Sequence, residues 1–346
     1  MEAAPKHNHS LADYTPMLLC MLLWGGGPPV YKYLERHGCD AYTMCFFRTF
    51  SATLALTLWV GLTDGARLKA AFLKPVRFFL MGFLFIAGLL AFTAGTLHAT
   101  ATLAMLITRA IPLVAIGLGA FFFLDERAMA RRLDFLIGLA IALAGLVGLC
   151  VFREGPPVPG ALETTSWLGV ALLLLCVLIW GVYSPLTKAL LRGQEPFVVT
   201  TLVFWTASVL AVPPMLIWGE PNWVREAPAL PVVVMLLSGP ALMGFSEGLY
   251  YLSVKRLGLA PAASASLLVP FFTALYAWPV LGETPTWTVV AYGAVLLAGM
   301  ALIVRARIRA GALPHDEKPD TAPNPQGAAL PVAGHTEVKG NIAAKS

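Results

Sequence analysis

Apolar runs of membrane-spanning length follow one another along the chain, separated by short polar gaps. An α-helix rises about 1.5 Å per residue, so roughly 20 apolar residues cross a hydrocarbon layer. Such runs fall near 16–34, 41–61, 76–96, 99–124, 133–152, 167–190, 197–218, 230–253, 260–281 and 287–305. They predict an all-α polytopic membrane protein with about ten transmembrane helices. The fourth and ninth runs contain Pro112 and Pro270, which blur their limits. Residues 1–15 and 312–346 are polar with scattered Pro, Gly and Ala, and read as disordered tails. Between them lie two five-span halves, 16–152 and 166–305.

The gaps alternate in charge. After span 2 come Arg67, Lys69, Lys74 and Arg77; after span 4, Arg127, Arg131 and Arg132. Span 6 ends in Lys188 and Arg192, span 8 in Lys255 and Arg256, and span 10 in Arg305, Arg307 and Arg309. The intervening gaps hold only Arg36, Arg153 and Arg225, and none between Gly282 and Trp287. Basic residues accumulate on the cytoplasmic side of a membrane, so both termini are expected in the cytoplasm of a cell (inner) membrane protein.

Composition narrows the class further. Hydrophobic residues make up 58% of the chain and charged residues 12%, with a mean hydropathy of +0.74. That leaves too little polarity to cover a soluble core, whereas a lipid bilayer removes the need. The net charge of +5 sits in the gaps and forms no basic face, which excludes nucleic acid as a partner. The five cysteines show no CxxC and no histidine at metal-ligand spacing, and their number is odd, so neither a metal nor a full disulfide framework is expected. His7 and His9 belong to the solvated tail. No small-x-small cleavage site follows the run 17–24, which is read as a retained helix.

The two halves repeat one another. Trp24-Gly25 is followed by Pro29 and Lys32, and Trp180-Gly181 by Pro185 and Lys188, at a constant offset of 156. Pro112 precedes Glu126 much as Pro270 precedes Glu283, and Gly138 and Gly145 are echoed by Gly293 and Gly299. An odd number of spans per half forces the second half to run opposite to the first, which makes an inverted-topology repeat.

With these landmarks in order, the chain resembles the EamA family of the drug/metabolite transporter superfamily. Each half opens with a WG-containing helix, and FFRTF (46–50) follows in the first. ATLAMLITRAIPLVAIGLGAFFFLDE and APAASASLLVPFFTALYAWPVLGE then precede a Gly-rich closing helix in each half. The resemblance implies ten helices and transport of small solutes, often export of amino acids or related metabolites, without a cofactor. The chain departs from the pattern in its GGGPP run and in Arg109 ahead of Pro112.

Several residues are candidates for the transport path. Gly25, Gly26, Gly27, Pro28 and Pro29 are expected to interrupt span 1, and Gly181 and Pro185 span 6. Broken helices at matched places free backbone groups that must meet protein or water, which suggests a central cavity. Glu247 lies inside span 8, where an acid is costly unless paired or protonated, so protons are the candidate coupling ion. Ser246, Glu247 and Gly248 resemble the SLE-type segment of amino-acid exporters in the superfamily. Arg109, near the middle of span 4, is the expected partner of Glu247 or a ligand for a substrate carboxylate. Arg48 sits about two turns into span 2, and its stem is long enough to reach the outer interface. His98, Glu126 and Glu283 mark span ends and are expected to organise turns. Trp24, Trp180, Tyr183, Tyr250, Tyr276 and Trp278 line a cavity, pack or anchor at an interface.

The leading expectation is secondary active export of a small-molecule substrate by alternating access. The alternatives are an uptake carrier and a structural or receptor-like membrane protein. A membrane-embedded enzyme would need a catalytic cluster, and neither HExxH nor a pair of intramembrane aspartates occurs; a Walker motif is also absent. Oligomeric state leaves no signal in the sequence.

Overall fold

The computed structural model describes residues 11–72, 76–114, 133–152, 166–190, 194–257 and 265–309. Among these the chain is helical throughout, with no strand. In order run α1 (Leu11–Gly25), α2 (Gly27–Arg36), α3 (Ala41–Phe72), α4 (Val76–Leu97), α5 (Ala101–Thr108) and α6 (Leu133–Val151). Then follow α7 (Trp167–Leu190), α8 (Pro196–Trp218), the short α9 (Trp223–Glu226), α10 (Ala229–Gly239), a π-helical turn (Pro240–Phe245), α11 (Ser246–Leu257), α12 (Val269–Leu281) and α13 (Trp287–Arg309). The continuation of span 4 beyond Val114, with Glu126, lies outside the described residues, as does the tail 312–346.

Seven of these helical stretches are long and apolar enough to cross a membrane. Ala101–Val114 and Val269–Leu281 are shorter apolar helices at the places of spans 4 and 9, and span 1 is divided between α1 and α2. Helix starts are fixed by local chemistry. Asp40 accepts the backbone N–H groups of Tyr42 and Thr43 at the start of α3, and Thr100 that of Leu103 at the start of α5. Gly282, at a φ of 73°, closes α12 in the left-handed conformation. α1 begins at Leu11, inside the segment expected to be a disordered tail.

The connections separate into two ends. At one, Arg36 Nη2 donates to Leu281 O (2.9 Å), the Ala101 N–H to Glu283 Oε2 (3.0 Å) and the Ser166 N–H to His98 O (3.0 Å). Trp223 Nε1 donates to His37 O (2.9 Å) and the Glu220 N–H to Asp40 Oδ2 (2.9 Å). These contacts join the connections after spans 1, 3, 5, 7 and 9. At the other end Glu195 pairs with Arg67 (3.3 Å) and Lys255 (3.0 Å), joining those after spans 2, 6 and 8. The chain thus crosses from end to end with each span, and the second end is the base-rich one.

Packing follows the repeat. α4 lies on α7, and its counterpart α11 lies on α1; α6 packs on α13, α3 on α8 and α5 on α12. Exchanging the halves maps each of these pairings onto another or onto itself, as two inverted five-helix repeats require. The α6–α13 contact is a glycine crossing. A Cβ on Gly145 would lie 2.3 Å from Leu296 N, and one on Gly299 2.3 Å from Ala142 N. α4 and α8 are the most enclosed spans, with 61% of each buried, whereas α6 is 33% buried and faces outward. Apolar side chains such as Leu62, Leu133, Leu216 and Trp287 stay exposed, as a lipid-facing surface requires.

Candidate functional site

The interruptions of the helices differ from those expected, and the difference places the charges. α1 and α2 are separated only at Gly26, with Gly27, Pro28 and Pro29 buried in the first turn of α2. Pro28 and Pro29 start a helix there, where the missing N–H groups are no loss. α7 runs unbroken through Gly181 and Pro185, against the expectation of a matched break. Gly181 is there for close packing instead, since a Cβ would meet Val114 at 2.5 Å. Nearby hydroxyls supply extra partners to α7 carbonyls: Ser184 donates to Trp180 O (2.9 Å) and Thr187 to Tyr183 O (3.1 Å).

The matched breaks are in spans 4 and 9. Helix gives way to a turn at Arg109–Ala110 and resumes at Ile111-Pro112; it does the same at Leu267–Leu268 and resumes at Val269-Pro270. A further break, unforeseen in the sequence, is the π-helical turn Pro240–Phe245, which delivers Glu247 into the first turn of α11. Pro240, which removes a backbone donor inside a span, was the available signal.

Glu247 and Arg109 do not touch. Each lies deep among the helices yet keeps some accessible surface. The Tyr251 hydroxyl, one turn further along α11, lies beside the Glu247 carboxylate. Tyr183 of α7 and Tyr251 are hydroxyl to hydroxyl at 2.5 Å. If Tyr251 gives its proton to the carboxylate, Tyr183 must donate to Tyr251, which makes a polar chain between α7 and α11 within the second half. Arg109 donates to Ser266 O (3.1 Å), Met105 O (3.4 Å), Met105 Sδ (3.2 Å) and Thr108 Oγ1 (3.4 Å), all uncharged acceptors. The expected Glu247–Arg109 ion pair is therefore not made among the described residues. Backbone acceptors exposed at the span-4 break and beside Pro270 hold the guanidinium instead. Cys20 and Tyr250 lie within electrostatic reach of both charges.

The candidate aromatic residues take different places. Trp24 packs on Tyr250 at a centroid distance of 4.9 Å. Trp180 packs on Phe92 (5.6 Å) and donates Nε1 to Phe85 O (3.4 Å), while Gly88 leaves room for its indole. Tyr276 is half-buried on α12 and makes no ring contact among the described residues. Trp278 is 65% exposed and belongs to the outer surface.

Arg48 does not reach the interface. It is 0% exposed, with its guanidinium carbon 4.1 Å from the centre of the Tyr31 ring, and none of its three guanidinium nitrogens has a hydrogen-bond partner among the described residues. Cation–π attraction is its one strong compensation. Its neighbourhood is walled by α10, since a Cβ on Gly239 would lie 2.2 Å from Arg48 O.

The base-poor end is closed by a second polar group. Lys32 donates to Leu97 O (2.8 Å) and pairs with Glu35 (3.4 Å), beside the Arg36–Leu281 and Ala101–Glu283 contacts. Burial raises the Glu283 carboxyl above its ordinary range, opposed by the Ala101 N–H and by Lys32 and Arg36. Spans 1, 3, 4 and 9 are tied together there. The free cysteines are Cys20, Cys39, Cys45, Cys150 and Cys176, and no metal-binding cluster occurs among the described residues.

Known proteins share this architecture. A probable terminal-alkyne amino-acid exporter of Streptantibioticus cattleyicolor is 26% identical over 84% of this chain and 92% of its own length. An uncharacterised transporter of Archaeoglobus fulgidus is 24% identical over 83% of this chain and 95% of its own. A chain of known crystal structure, 17% identical, superposes with a TM-score of 0.58 over 87% of this chain and 99% of its own, and shares the fold. The family model of the EamA-like transporters matches twice, over residues 14–151 and 167–305. This chain is a membrane transporter and belongs to the EamA-like transporter family.

Proposed function

We propose that the chain is a secondary active exporter of small organic metabolites of the amino-acid class, working by alternating access in the cell (inner) membrane. Its base-rich end, with both termini, faces the cytoplasm. The observation that carries this reading is Glu247, an acid deep in the bundle with no cationic partner among the described residues. An unpaired carboxylate at that depth is costly, and protonation or a cation relieves the cost. Export against a proton gradient uses that relief on each side in turn. The amino-acid class is supported by the similarity to the S. cattleyicolor exporter.

Alternation needs two closable ends. The contacts of Lys32, Arg36 and Glu283 supply closure at the base-poor end. Trp24, Trp180, Tyr183 and Tyr250 stand around the region between the halves, and Pro112 and Pro270 mark the matched bends next to it. The units that move against each other are the repeats 16–152 and 166–305.

Purified protein in liposomes, loaded with a panel of radiolabelled amino acids, tests the reading under an imposed pH gradient. Efflux of an amino acid that accelerates with an inward proton gradient and stops when the gradient is collapsed is expected. Flux of a solute outside the amino-acid class, or flux indifferent to the gradient, overturns the substrate or the coupling respectively.

A further inference from the structure

We infer that Arg48 acts as a buried-charge spring: closing the base-poor end shuts its guanidinium away from water, and the cost of that desolvation drives the end open again. The inference rests on the alternating-access reading above and adds which side chain sets the balance between the closed and open states. Arg48 stands two turns into α3, about 10 Å of helix from its start at the base-poor end. In the first half, the Tyr31 ring of α2 covers the guanidinium at 4.1 Å, and Phe92 of α4 packs edge-on against that ring at 5.9 Å. From the second half, the Gly239 backbone lies against Arg48 O with no room for a Cβ, and the Tyr31 hydroxyl donates to Met243 Sδ at 4.0 Å. The residue is thus enclosed where the two halves meet, on the closed side.

Nothing among the described residues balances the charge. All three guanidinium nitrogens are buried without a hydrogen-bond partner there. Asp40, the acid at the start of the same helix, is taken by the N–H groups of Tyr42, Thr43 and Glu220. A guanidinium has no neutral form to retreat to in a protein, so the cost of burial stands for as long as the end stays closed. Separating the halves at this end lets water reach the donors and removes that cost. The closing ties oppose it: Arg36 to Leu281 O, the Ala101 N–H to Glu283 and the Glu220 N–H to Asp40 each join one half to the other. Water can satisfy every one of those partners, so the ties alone hold the end weakly, and the spring keeps the closed state from becoming a trap.

Cys39 reports the opening, because it lies buried in the α2–α3 connection at that end, 2% exposed. The full-length protein carrying Cys150→Ser is held in lipid nanodiscs and exposed to a charged maleimide, and the rate at Cys39 is read by peptide mass spectrometry. Where reclosing outpaces labelling, the rate follows the open population. Arg48→Met should slow labelling of Cys39 about tenfold or more. Tyr31→Leu removes the ring that offsets the charge and should speed it about tenfold. In the Arg48→Met background Tyr31→Leu should leave the rate slow, since no charge remains to be offset. A mere packing defect would speed labelling in both backgrounds. Labelling of Arg48→Met at or above the wild-type rate overturns the spring, as does a Tyr31→Leu acceleration that persists without Arg48. Arg48→Met is expected to fold at least as well as the wild type, so its arm decides the matter even if Tyr31→Leu does not fold. Labelling that responds as expected in a protein that moves no amino acid under any gradient leaves the spring standing and overturns transport by alternating access instead.

Discussion

Two buried charges are solved differently in this chain, and each solution has a measurable consequence. The sequence made Glu247 conspicuous as an acid within a span, but its partner depends on where a backbone break puts Arg109, and that is tertiary information. Since Arg109 is held by neutral acceptors, Glu247→Gln strands no counter-charge. The amide keeps the size of the carboxyl group and an acceptor oxygen, so stability should change by no more than about 1 kcal/mol. Proton-driven flux should lose its pH dependence, because Cys20, Tyr183, Tyr250 and Tyr251 are too weakly acidic to replace a carboxylic acid and Arg109 stays charged. Thermal melting and flux on the same variant decide it; a destabilisation of roughly 3–5 kcal/mol would restore the ion-pair strut. Arg48 presents the opposite case, a guanidinium buried against one ring with no hydrogen-bond partner among the described residues. Desolvation costs several kcal/mol and the cation–π contact returns about 2. Arg48→Met should therefore melt at or above the wild-type temperature, whereas Tyr31→Leu should melt lower and recover in the Arg48→Met background. Independent, additive effects in that double-mutant cycle would show that the ring does not compensate the charge.

Element by element, the spans were readable because hydropathy reports burial in lipid, whereas their breaks were not. Pro185 and Gly181 carry the composition of a break and stand in a continuous helix, since glycine at 181 serves the contact with Val114. Pro240 drew no notice in the sequence and lies in the one π-helical turn of the described residues. A proline states that a donor is missing; whether the helix bends depends on what its neighbours offer the freed carbonyl. The closing helices of the halves behave more simply. Gly145 faces the Leu296 backbone across the α6–α13 crossing with no room for a methyl group, while Gly61 of α3 has nothing within 4 Å. Gly145→Ala should destabilise the protein by about 1–3 kcal/mol through overpacking. Gly61→Ala should be neutral or stabilise by up to about 1 kcal/mol, through helix propensity. Equal effects of the two substitutions on melting would mean that α6 and α13 do not cross at the described distance.

Across the whole molecule, the alternation of charge along the sequence and the separation of connections in space are independent, and they agree. Gaps read as basic from the sequence, those after spans 2, 6 and 8, meet at one end through Glu195; the base-poor gaps meet at the other through backbone and tryptophan contacts. Sequence could supply the alternation because each gap is local, but not the ties across an end, which join residues as distant as Arg36 and Leu281. Those ties include Glu283, whose burial raises its carboxyl above the unfolded value. A raised acid contributes stability that is full below the unfolded pKa, about 4.3, and is lost as pH rises through the folded value. Glu283→Gln still accepts from the Ala101 N–H but cannot titrate. Over that window the wild type should lose melting temperature with rising pH relative to the variant, and parallel curves would remove Glu283 from the closure. Which end faces outward follows from the same alternation. With Cys150 replaced by serine and the remaining cysteines buried, Ala70→Cys and Asn222→Cys report opposite ends. The basic surroundings of position 70 predict a cytoplasmic position, so an impermeant maleimide should label it only after permeabilisation. Asn222, exposed beside α9 at the base-poor end, should label in intact cells. Labelling of position 70 from outside with position 222 protected would invert the molecule in the membrane.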